Sequence, residues 1–201
     1  MDNPLPLFYG ATYHIYNRGN NGENLFQEAR NYPYFLKLYA KYIEPIADTF
    51  AYCLLRNHFH LALRIRDEDE IDLTGFRKPV RSSLPSQQFS NFFNAYTKAI
   101  NQAYGRTGNL FQRPFGRIQV TTDEYFAQLI HYIHFNPQKH GFVDDFREYP
   151  YSSYGVLCSD KPTRLKRDEV MDRFDGRRGF DLLHQSAVDE QRIVELICDD
   201  D

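Results

Sequence analysis

Two histidines separated by one residue, His58 and His60, open the apolar run His58-Phe59-His60-Leu61-Ala62-Leu63. Successive side chains of an extended strand point to opposite sides, so both imidazoles share one face while Phe59, Leu61, Leu63 and Ile65 occupy the other. Imidazoles held on a rigid strand form half of a metal site, and they are equally an ordinary pair of half-buried strand residues. A third partner has to decide.

Residues 122–136 supply a candidate. At helical spacing Phe126, Leu129, Ile130 and Ile133 form an apolar stripe, and Tyr125, Gln128, Tyr132 and Asn136 form a polar line at intervals of three and four. Tyr132 and Asn136 therefore project together, one turn apart. If that face meets the histidine strand, Asn136 offers an oxygen ligand and Tyr132 a phenol beside the metal. A phenol with a free pKa of about 10 is a poor nucleophile. A divalent cation that neutralises a phosphodiester lets such an oxygen attack phosphorus and form a phosphotyrosine. Two imidazoles and one amide oxygen suit Mn²⁺ best, with Mg²⁺ acceptable and Zn²⁺ a competitor. The plain alternatives are a packed tyrosine among fifteen and, for Asn136 before Pro137, a helix stop.

The histidine stretch, Tyr132-Ile133-His134-Phe135-Asn136-Pro137, Lys139-His140-Gly141 and Tyr151-Ser152-Ser153-Tyr154 together resemble the single-tyrosine HUH transposases, in their REP-associated tyrosine transposase branch. The resemblance runs from about Tyr13 to Tyr154. It implies that His58, His60 and Asn136 bind Mg²⁺ or Mn²⁺ and that Tyr132 cleaves single-stranded DNA, leaving a 5′-phosphotyrosine and a free 3′-hydroxyl. It also implies a ferredoxin-like fold, hairpin DNA as partner and a homodimer. Two other functions compete: a non-catalytic ferredoxin-like nucleic-acid binding module, and a phosphoesterase using metal-bound water.

The elements that must position these residues can be read in order. Residues 11–17 are a first strand, 31–43 a helix, and 49–55 with 58–65 a hairpin joined at Arg56-Asn57. A long helix capped by Ser86 runs to about Tyr104, residues 110–120 are extended, and Thr122 caps a last helix that ends by Pro137. This order predicts an α+β, ferredoxin-like (split βαβ, RRM-like) antiparallel sheet with helices on one face, followed by a C-terminal catalytic helix and an extension. The domain expectation is 1–155 for the main unit and 156–201 for a helical extension.

Net charge is −3, which by itself argues against a nucleic-acid binder. Its distribution reverses this, because no acidic residue lies between Asp72 and Asp123 while Arg77, Lys78, Arg81, Lys98, Arg106, Arg113 and Arg117 all do. Arg18, Arg113 and Arg117 are candidate phosphate contacts, and solvated arginines on the bland account. Most aromatics of the acid-free stretch, such as Phe89, Phe92, Phe93 and Tyr96, sit at core spacing. His14 shares the parity of Tyr16 and either lines the catalytic face or is a satisfied structural histidine. His131 and His134 lie off the Tyr132 line and are left out of the site. Three scattered cysteines signal neither a disulfide framework nor a thiolate zinc site. No run has the length of a membrane span, so the expected location is the cytoplasm.

Overall fold

The computed structural model describes residues 6–76 and 83–186. Arg77, Lys78, Arg81, Cys198 and the acidic tail residues Asp199, Asp200 and Asp201 lie outside the described residues. Among the described residues four strands form one antiparallel sheet: β1 (Thr12–Arg18), β2 (Ala47–Leu54), β3 (His58–Ile65) and β4 (Gly116–Val120). Their order across the sheet is β2-β3-β1-β4. With α1 (Asn31–Tyr42) between β1 and β2 and α2 (Leu84–Tyr104) between β3 and β4, this is the expected split βαβ arrangement.

Each face of β3 belongs to a different core. Phe59, Leu61, Leu63 and Ile65 pack with Phe35 and Tyr39 of α1 and Phe89, Phe92 and Tyr96 of α2. Phe35 is the hub, with ring centroids 4.7 Å from Phe92 and 5.2 Å from Phe59. Cutting it to alanine would remove about 3–5 kcal/mol, as for other fully buried phenylalanines. On the opposite face Ala62, Ala51 and Phe50 pack with Phe126, Leu129, Ile130 and Ile133 of α3 (Asp123–Lys139). The α3 stripe is the one expected from its spacing. The alanines on the sheet let the helix backbone approach.

The sheet is thus covered on both faces: α1 and α2 lie on one, α3 and the short helices after it on the other. These are α4 (Tyr154–Leu157), α5 (Arg167–Arg173) and α6 (Arg177–Gln185). Their neighbourhood contributes Val170, Phe174 and Phe180, which complete the α3-side core. The buried Asp48 carboxylate of β2 ties this region to the sheet, bonding Arg64 at 2.8 Å, Arg66 at 2.9 Å and Lys166, just before α5, at 3.2 Å.

Three boundaries differ from expectation. Helix α2 begins at Leu84, so Ser86 lies in its first turn and does not cap it; Pro85 fills an early position where its missing N–H costs nothing. Residues 110–115 are loop, apart from one bridge between Gly19 and Phe111, and only Gly116–Val120 is strand. Helix α3 runs through Pro137 to Lys139. Proline in the last turn removes one bond, and the chain still closes there by Phe142 N–H to Pro137 O (2.9 Å) after Gly141 at φ +68°. The start of α3 is as expected, with Thr122 Oγ1 accepting from Tyr125 N–H at 3.1 Å.

Candidate active site

β3 and α3 bring the four expected residues together. His58 and His60 sit on the α3 side of the sheet with ring centroids 5.2 Å apart and planes 85° to each other. Tyr132 stands edge-on to His60 at 5.3 Å, and Asn136 Oδ1 lies 3.2 Å from His58 Nε2. All are buried: Tyr132 is 1% exposed, Asn136 0% and His60 2%.

The hydrogen bonding at His58 carries chemical information. Nδ1 lies 2.8 Å from Asn57 Oδ1, while Nε2 faces the other amide oxygen, that of Asn136. A neutral imidazole owns one N–H, so it can donate to only one of them. With the proton at Nδ1 donating to Asn57, the Nε2 lone pair and the Asn136 oxygen confront each other. Two such atoms repel unless a cation sits beside both or the Asn136 amide turns to present its Nδ2–H to Nε2. Their 3.2 Å separation also matches the roughly 3 Å between neighbouring ligands on a cation with bonds of about 2.1 Å. Nearby, His60 Nε2 and Asn136 Nδ2 are buried with no hydrogen-bond partner among the described residues. Orphaned buried atoms cost about 1–3 kcal/mol each and are tolerated where function needs them. The residues present therefore fit a divalent cation held by two imidazoles and one amide oxygen. Among the described residues no three His, Cys, Asp or Glu side chains form a metal cluster, so the amide is needed to complete any set.

Other side chains line this site. His14 of β1 is fully buried, its Nε2 3.0 Å from His60 Nδ1, its ring stacked on Tyr16 at 4.8 Å and edge-on to Tyr132 at 6.3 Å. Burial holds His14 down to about 3, and burial with neighbouring cations and imidazoles holds His60 well below the usual histidine value. Lys139 Nζ lies 5.5 Å from the centre of the Tyr132 ring, and the exposed His140 ring is 5.0 Å from His58. These four extra residues are not marked by spacing. The sequence signals are the shared parity of His14 and Tyr16, which does not say which strand lies beside them, and the Lys139-His140-Gly141 motif, which does not say what those side chains face.

The three arginines divide. Arg18 pairs with His58 across β1 and β3 and so belongs to the site face. Arg117 pairs with Ile15 and points to the α2 face, its guanidinium 3.8 Å above the Phe115 ring. Arg113 is exposed, with Nη2 3.4 Å from Asn94 Oδ1. Both border a cavity of about 300 Å³ that Phe93, Phe111, Asn17 and Gln112 also line. The structure does not bring Arg113 and Arg117 to the histidines.

The back of α3 carries a second histidine cluster. His184 of α6 has Nδ1 2.8 Å from Phe180 O, and a carbonyl only accepts, so the proton is at Nδ1. His184 Nε2 then accepts from His134 Nδ1–H at 2.8 Å, leaving His134 Nε2 to accept from Ser153 O–H at 2.9 Å. Ser153 Oγ in turn accepts from Tyr52 N–H at 2.9 Å. Burial pushes His184 and His131 down to about 4 and holds His134 well below its usual value.

No family model matches the chain. It is 29% identical over 110 residues to a putative REP-associated tyrosine transposase of Haemophilus influenzae, a match covering 53% of this chain and 58% of that protein. The chain thus spans somewhat over half of the curated relative it matches. A solved structure of a REP-associated tyrosine transposase bound to a REP hairpin superposes with a TM-score of 0.60, covering 81% of this chain and 88% of that one at 16% identity. At that identity the likeness establishes the α+β fold. The resemblance read from the motifs is borne out: both comparisons lead to the REP-associated tyrosine transposases. No helix among the described residues is long and apolar enough to cross a membrane.

Proposed function

We propose that the chain is a DNA-cleaving enzyme of the REP-associated tyrosine transposase kind: a single-strand endonuclease and strand transferase acting on hairpin-containing DNA through Tyr132, with a divalent cation as cofactor. One observation carries this reading. The helix that presents Tyr132 to His60 also presents Asn136, one turn later, to His58.

In the proposed reaction Tyr132 Oη attacks the scissile phosphorus and loses its proton. A bond forms from the phenolic oxygen to phosphorus and the bond from phosphorus to the 3′-oxygen breaks, that oxygen taking a proton to leave a 3′-hydroxyl. The DNA 5′-phosphate remains on the tyrosine, and attack by a 3′-hydroxyl on that linkage reverses the step and joins strands. His58, His60 and Asn136 would hold Mg²⁺ or Mn²⁺, which when bound offsets the phosphate charge. The protein's own part is positional. α3 fixes the phenol against the imidazoles, the Lys139 ammonium adds positive charge near the phenol, and Arg18 meets the backbone on the same face. Arg113 and Arg117 would contact DNA on the other side of the sheet. One chain carries His58, His60, Tyr132 and Asn136 on β3 and α3.

A labelled hairpin oligonucleotide with a single-stranded flank, incubated with Mn²⁺ or Mg²⁺, is expected to become covalently attached, and attachment is expected to vanish with EDTA and in Tyr132→Phe. Attachment that persists in Tyr132→Phe overturns the assignment. The burial of Tyr132, at 1% exposed, favours the competing non-catalytic binding module until DNA is shown to reach the phenol. Hairpin binding indifferent to EDTA, with no cut strand, would establish that alternative.

A further inference from the structure

We infer that His14 is a positioning residue for His60: its Nε2 lone pair accepts the Nδ1 proton of His60 and so leaves a free lone pair on His60 Nε2, which is buried without a partner among the described residues. The inference rests on the preceding reading of His58, His60 and Asn136 as a cation site.

Strand register brings the two rings together. β1 and β3 pair Tyr16 with His60 and His14 with Ala62, so His14 is the diagonal neighbour of His60 on the α3 face. The residue directly opposite His14 is alanine, which leaves its ring free to lean toward His60. Tyr16, stacked on one side at 4.8 Å, and the Tyr132 edge at 6.3 Å hold the ring in that attitude.

Between two neutral imidazoles 3.0 Å apart there is one proton, and two arrangements are open. If His14 donates, His60 accepts at Nδ1 and must carry its own proton at Nε2, where it offers no lone pair. If His60 donates, its Nε2 is a ligand. In both arrangements His14 Nδ1 and His60 Nε2 lack partners among the described residues, so hydrogen bonding inside the protein does not select one. A cation at Nε2 does select. It requires the arrangement in which His14 accepts, and the accepted bond in turn makes His60 a more basic ligand. Cation affinity is therefore linked to an acceptor at position 14, a residue outside the ligand set.

The experiment is a Mn²⁺ titration without DNA, following free Mn²⁺ by electron paramagnetic resonance, with folding checked by circular dichroism. His14→Phe keeps the ring and removes the acceptor; His14→Gln restores an acceptor oxygen near the position of Nε2. Loss of an outer partner typically weakens binding about 10–100-fold, so His14→Phe is expected in that range and His14→Gln within about threefold of the unaltered protein. His14→Leu replaces His14→Phe if the latter fails to fold. Wild-type affinity in His14→Phe or His14→Leu overturns the inference. So does equal weakening in folded His14→Gln, because packing and not the acceptor would then be at work. His58→Ala and Asn136→Ala separate the two levels. If they abolish binding while His14→Phe does not, the cation site stands and the role of His14 falls. If the unaltered protein binds no Mn²⁺, the cation reading fails first and takes this inference with it.

Discussion

Helix α3 is flanked by buried histidines on both sides, and the two sides are finished differently. Behind it, the chain from Tyr52 N–H through Ser153, His134 and His184 to Phe180 O fixes the tautomer of both rings and uses every one of their nitrogens. In front of it, His14, His58 and His60 are also buried, yet His14 Nδ1 and His60 Nε2 find no partner among the described residues, and His58 Nε2 confronts an oxygen. Sequence composition does not distinguish the clusters, since both are imidazoles among aromatics. What distinguishes them is saturation. A closed network stabilises; an open one of the same residue type keeps lone pairs for something else.

The largest effect that would sharpen this contrast is His60→Ala. Cleavage is expected to fall about a thousandfold, corresponding to several kcal/mol of lost charge stabilisation, while the unfolding free energy in urea falls by less than on the closed side, because the orphaned Nε2 leaves with the ring. A large loss of stability with intact cleavage would break the contrast. Next comes His134→Ala on the closed side. It strands Ser153 and His184 and opens a cavity, so the unfolding free energy should fall by about 3 kcal/mol. At temperatures where the variant is folded, Mn²⁺ affinity should stay within about threefold.

The closed cluster also makes stability depend on pH. His184 titrates near 4 in the fold against 6.5 in the unfolded chain, so the unfolded chain takes up the proton first. The stability contribution is full above pH 6.5 and is lost as pH falls toward 4, amounting to about 2 kcal/mol by pH 5. His184→Phe should flatten the acid limb of stability against pH by about that amount, and an unchanged limb would show that His184 is not held neutral. The smallest effect belongs to Asn57→Ala. It removes the acceptor of His58 Nδ1–H and should weaken Mn²⁺ binding about tenfold by titration, leaving the acid limb alone.

Much of this geometry was legible in the chain. Alternation placed His58 and His60 opposite Phe59 and Leu61, and helical spacing put Tyr132 with Asn136, because both patterns are local consequences of backbone period. Contacts between distant elements were not legible. His184 lies fifty residues beyond His134, and nothing in either segment announces the other. Pro137 reads as a helix end, yet α3 runs on to Lys139, because one missing N–H in a final turn is cheaper than the rule for helix interiors suggests. The span 110–115 reads as strand from its apolar residues, yet Leu110 and Phe111 are buried in the α1–α2 core as loop.

β4 begins at Gly116, which pairs with Tyr16, and a Cβ at that position would collide with the Tyr16 ring. The tyrosine lies across the glycine, and against its ring rests that of His14. One tight tolerance behind the candidate cation site is therefore a hydrogen atom on an edge strand of the sheet. A methyl there would tilt one ring, then the next, and reach His60 without altering any group that does chemistry.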